Sequence, residues 1–91
     1  MSFRMVIRDV LDLPGRGIVV LGTIESGAVR VGGQLTLISQ TAKTPVRVAS
    51  IDKFKQPDLQ EASAGPDEVG IGLADITHEQ VKIEDLLIEA V

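Results

Sequence analysis

Two carboxylates, Asp52 and Glu68, and one imidazole, His78, would be the catalytic or metal-binding groups if the fold brought them together. A carboxylate pair can share acid–base work or bind a ligand. No His, Cys or Lys is linked to this pair by a motif, so structural or solvated carboxylates are the commoner reading. His78 is the only histidine, and the chain has no cysteine. One imidazole cannot make a usual metal site without carboxylate help, and its polar neighbours read as a solvent-facing turn. Arg16, after Pro14-Gly15, could meet a phosphate; in an acidic chain the plainer reading is a solvated or ion-paired turn residue. Gly70 and Gly72 alternate with Val69, Ile71 and Leu73. They could admit a ligand close to the backbone, although sheet curvature is the commoner cause. No nucleophile–base pair and no flavin-contacting motif is present. The expectation is therefore no catalytic residue, no metal and no cofactor: a binding module rather than an enzyme.

The bulk composition narrows the class further. Ninety-one residues make one small domain, and such a chain buries roughly 60–70% of its unfolded surface. Apolar residues make up 44% of the chain, but only Phe3 and Phe54 are aromatic, so Val, Ile and Leu must build the core. The net charge of −4 argues against non-specific nucleic-acid binding, which needs Lys and Arg against phosphates. The nine basic residues are scattered, with no local cluster. No segment reads as a signal peptide or a membrane span, which makes a cytoplasmic protein the default.

The elements that must position these residues are short strands. Leu13 to Gly33 sets the pattern. Leu13-Pro14-Gly15-Arg16 suits a type II turn, with Pro14 presetting φ and Gly15 tolerating a positive one. Ser26-Gly27 and Gly32-Gly33 reverse the chain twice more, leaving no room for a helix. Residues 3–11 alternate, with Phe3, Met5, Ile7 and Leu11 on one face and Asp9 interrupting it, in a bulge or at a rim. Residues 17–25 form a second strand with Ile18, Val20 and Ile24 toward the core, Val19, Leu21 and Thr23 opposite, and a bend or close approach at Gly22. A third strand at 34–39 turns Leu35 and Leu37 inward, and 41–44 reads as a loop. Pro45 opens a fourth strand, in which a bulge near Ala49-Ser50 reconciles Val46 and Val48 with Ile51. Residues 55–66 read as a loop anchored by Leu59 and Ala62. Strand 68–74 points Val69, Ile71 and Leu73 inward and leaves a bare outer face at Gly70 and Gly72. Thr77 and Gln80 have capping-box spacing for a helical turn within 77–84, and residues 86–91 are the last strand. Six short strands and almost no helix predict a small antiparallel barrel.

Taken in order, Ile7-Arg8-Asp9-Val10, Pro14 to Val20, Gly22 to Gly27, Val29 to Gly32, Ile51 to Phe54, Ala64-Gly65, Val69-Gly70-Ile71 and Asp85-Leu86-Leu87 resemble the second domain of elongation factor Tu and related translational GTPases. The match runs from about Phe3 to Ile88. It implies an all-β, six-stranded Greek-key barrel filling residues 1–91. No G-x-x-x-x-G-K-[ST] loop is present, so GTP binding is not expected of this chain. Either a freestanding barrel or a fragment of a longer factor is compatible with the match.

The resemblance also implies a site. In the family this barrel helps hold the aminoacylated 3′ end of transfer RNA, or contacts ribosomal RNA. Leu13 and Val19 match apolar positions of the terminal-adenine pocket. Asp52 matches a Glu that covers the adenosine, with Phe54 at an aromatic position beside it. Glu68 replaces an Asn whose backbone helps hold the aminoacyl group; its carboxylate would attract an ammonium and repel phosphate. Arg16 belongs to the same turn. Gly72 replaces a Leu of the adenine platform, a stacking wall worth roughly 1–3 kcal/mol per base. The rival expectation is a protein-interaction or self-associating barrel that has lost RNA binding. It would use Leu21, Ile83 and Ile88 as its surface, the last two being apolar where the family is often charged or small.

Overall fold

The computed structural model describes residues 2–15, 17–40, 42–53, 55–74 and 76–90. Among them, eight strands follow in order: β1 (Arg4–Leu13), β2 (Gly17–Ser26), β3 (Ala28–Arg30), β4 (Gln34–Ile38), β5 (Lys43–Lys53), β6 (Glu61–Ser63), β7 (Glu68–Ala74) and β8 (Leu86–Glu89). Six of them close a barrel in the order β1-β2-β7-β5-β4-β8, every pair antiparallel. The run β8-β4-β5-β7 is a Greek key: three successive barrel strands, with the next returning beside the first. Closure pairs every barrel strand on both sides, which removes exposed sheet edges. No helix among the described residues is long and apolar enough to cross a membrane.

Period-2 alternation fills the interior. Met5, Ile7, Val20, Leu37, Ile51, Ile71 and Leu87 are fully buried, and Ile24, Val48 and Val69 nearly so. Each such side chain contributes about 1.5–3 kcal/mol relative to exposure. Phe3 closes the core just ahead of β1.

Bulges set the faces. The ladder of β1 on β2 pairs Ile7 with Gly22 and Asp9 with Leu21, leaving Arg8 as the extra residue. Asp9 Oδ1 accepts a hydrogen bond from the Val10 amide at 2.8 Å, so of the two expectations for Asp9 the bulge is the one found. Leu11 is corrected by the same bulge. Past Arg8 the parity inverts, so Val10 packs against the core while Leu11 and Leu13 turn outward. Gly22 meets a close approach rather than a bend: a Cβ there would collide with the Val6 carbonyl oxygen. On β5 the pairing shifts between Val48 and Ser50, at the expected bulge, and Val46, Val48 and Ile51 all face inward.

Three further expectations change. Residues 27–31 and 55–66 were expected to lack strands, yet β3 and β6 pair as a separate two-stranded sheet, Ala28 to Ser63 and Arg30 to Glu61. Its inner residues, Val29 and Ala62, join the core. The polar stretch before Pro45 is also strand, with Lys43 opposite Ile38 and Thr44 opposite Leu37; Thr41 lies outside the described residues. The helical turn shrinks to a 3-10 turn at His78–Gln80, where Gln80 Oε1 accepts from the Thr77 amide at 2.9 Å. The chain then turns again, with the Lys82 amide donating to Asp85 Oδ2 at 2.9 Å.

Candidate functional site: an outer groove across β1, β2, β7 and β5

The inverted parity of β1 builds the groove. Register places Leu11 beside Val19, Val19 beside Gly72, and Gly72 beside Ser50. The next row runs Asp9, Leu21, Gly70 and Asp52. Leu11, Leu13, Val19 and Leu21 therefore form an apolar wall on the barrel's outside, and the glycines of β7 form a trough beside it. The trough is not bare, as the sequence suggested. A Cβ on Gly70 would lie 3.1 Å from Leu21 Cδ2 and 3.5 Å from Val19 Cγ1, and one on Gly72 would collide with Ser50 Oγ. Side chains of β2 and β5 lean over the glycines and bury them.

The groove holds about 520 Å³ and is completed by Asp52, Lys53, Gln56, Asp67 and Glu68. That is ample for one small ligand group. Its described lining carries three carboxylates, Asp52, Asp67 and Glu68, against one ammonium, Lys53. The rim accordingly favours cationic groups over phosphates. Among the described residues no cluster of His, Cys, Asp or Glu has a geometry that could hold a metal ion.

Four residues expected at a site do meet here: Leu13, Val19, Asp52 and Glu68. Arg16 and Phe54 lie outside the described residues. Asp52 has an internal role, since its Oδ1 accepts a hydrogen bond from the Asp58 amide at 2.8 Å. Leu21 belongs to this groove, whereas Ile83 and Ile88 line two other depressions. Ile83, 57% exposed, tips the turn after the 3-10 segment, and Ile88 is half-buried on β8. His78 is exposed.

The lining residues Leu11, Lys53, Gln56 and Asp67 were not anticipated. Leu11 was assigned to the core by unbroken alternation, and Asp9 was the one signal of its reversal. The other three carry no local pattern. Two of the scattered arginines are ion-paired: Arg4 with Glu25 at 2.8 Å on the barrel, and Arg30 with Glu61 at 3.8 Å on the small sheet.

No protein-family model matches the chain. Among solved structures, the apo form of translation elongation factor SelB from Methanococcus maripaludis aligns with 99% of this chain, at a TM-score of 0.87 and 31% identity. The chain spans 18% of that protein's length. It resembles a non-catalytic barrel domain of a translation factor. The closed six-strand Greek key and this likeness together make the fold the elongation factor Tu domain 2-like barrel of the translation factors.

Proposed function

We propose that residues 1–91 act as one translation-related binding module without catalysis of its own, working in the cytoplasm, and that the outer groove receives the aminoacylated 3′ end of a transfer RNA or a comparable ribosomal RNA end. The observation that carries this reading is the convergence of Leu13, Val19, Asp52 and Glu68, drawn from four different strands, on one groove with an apolar wall. A terminal base laid against Leu11, Val19 and Leu21 would bury apolar surface worth about 25 cal/mol per Å². The carboxylates of Asp67 and Glu68 favour an aminoacyl ammonium at the rim, while the phosphates run outward.

The test is a titration of the labelled barrel with a short RNA hairpin ending in single-stranded CCA, uncharged or bearing a phenylalanyl ester. Amide shifts confined to Leu11, Leu13, Val19, Leu21 and Gly70, stronger for the ester, are expected. No shift at millimolar RNA removes the reading. A second reading, a protein partner or a second copy, is favoured by the acidic rim. Affinity capture with and without RNase separates the two, because a protein partner survives the nuclease.

A further inference from the structure

We infer that Asp52 is a positioning residue: its carboxylate ties down residues 55–58 of the loop that walls the groove, and it serves binding through that anchor rather than through its charge. This rests on the groove being the binding site. Position 52 is where the resemblance implies a direct cover over the ligand; the hydrogen bonds assign it a different task.

The loop is built around two points. Lys53 and Gln56 exchange backbone hydrogen bonds at 2.9 and 2.8 Å, closing a tight turn at the end of β5. The Leu59 amide donates to the Ile51 carbonyl at 2.8 Å, returning the chain to the strand. Between these points Lys55 and Asp58 both hold left-handed backbone, with φ of 62° and 58°. Left-handed backbone is unfavourable outside glycine, so the conformation needs an anchor. Asp52 Oδ1, accepting the Asp58 amide at 2.8 Å, is one. It is a side chain on the strand reaching a backbone donor six residues on, at the far corner of the loop. The loop in turn supplies Gln56, and its base supplies Lys53, to the groove lining. Lys53 is the basic residue of that described lining, so its placement decides where an anionic group can approach.

An anchor needs an acceptor oxygen; a charge that covers a ligand needs the charge. Asp52→Asn keeps the first and removes the second, and Asp52→Ala removes both. Asp58→Gly keeps the amide donor and relieves the left-handed backbone, so it tests whether the donor alone is required. Two readouts are taken: hydrogen exchange of the Asp58 and Gln56 amides without ligand, and binding of the phenylalanyl CCA hairpin. Exchange in core strands β2 and β7 confirms that each variant is folded. We expect exchange at Asp58 at least tenfold faster in Asp52→Ala, and within threefold of the parent in Asp52→Asn and Asp58→Gly. Hairpin affinity should fall with Asp52→Ala and be retained by the other two. Loop exchange unchanged in Asp52→Ala overturns the inference, as does Asp52→Asn losing the hairpin as fully as Asp52→Ala while its loop stays ordered. If the parent protein binds no hairpin, the RNA reading fails, and the exchange data still decide whether Asp52 anchors the loop.

Discussion

At the scale of single residues, Ser50 and Gly72 form a matched pair. The space beside Gly72 is filled from the neighbouring strand by Ser50 Oγ. Gly72→Ala should therefore force Ser50 Oγ into another rotamer and cost about 0.5–1.5 kcal/mol. In a Ser50→Ala background the nearest atom is Ser50 Cβ at 3.5 Å, an ordinary contact, so the same change should cost less than about 0.5 kcal/mol. Urea midpoints of the four proteins check this, and equal costs in both backgrounds refute it. Glu84 is a second case. It holds φ of 76° in the turn before β8, stabilised by its amide donating to the Ile7 carbonyl at 2.7 Å. Glu84→Gly keeps that bond and removes the left-handed penalty, so stability should rise by about 0.5–1 kcal/mol. A thermal midpoint that falls would contradict the prediction.

At the scale of elements, the bulge at Arg8 decides which side chains reach the groove. Before it Met5 and Ile7 point inward; after it Val10 does, and Leu11 and Leu13 point out. Deleting Arg8 restores regular pairing. Asp9 stays opposite Leu21 and Val10 opposite Val20, so Val10 remains inward and Leu11 and Leu13 outward, and only the local bend is lost. The deletion is therefore expected to leave a folded barrel, with amide shifts confined to the neighbourhood of residues 7–10 and 21–22; collapse of amide dispersion would show that the bulge itself is needed for closure. The small sheet of β3 and β6 teaches a related lesson. Its strands have three residues each, too short to show alternation, and they pair across a long sequence gap. Composition marked both as connectors, and only the buried Val29 and Ala62 signal their attachment to the core.

At the scale of the molecule, a small all-β domain has a thin margin. Global stability for this length is about 5–14 kcal/mol. Leu37 is fully buried on β4. Leu37→Ala should remove about 2–5 kcal/mol, a large share of the total, and lower the urea midpoint accordingly; a shift below 1 M would show a core that relaxes more than its packing suggests.

The alternation of Val, Ile and Leu, the turn at Pro14-Gly15 and the bulge near Ser50 were legible in the chain itself. Each is local: a period, a dihedral preference or a break in phase within a few residues. They determined an all-β chain of short strands and its barrel. The ordered motifs then pointed to the translation-factor type and to Leu13, Val19, Asp52 and Glu68. Tertiary structure alone decided the rest. The outward turn of Leu11, the Ser50 oxygen over Gly72, the hydrogen bond from the Asp58 amide to Asp52 and the arrival of Lys53, Gln56 and Asp67 at one groove were decided by the folded chain. Register is set by the whole closed ladder, because each strand's phase is fixed by the neighbours on both its sides.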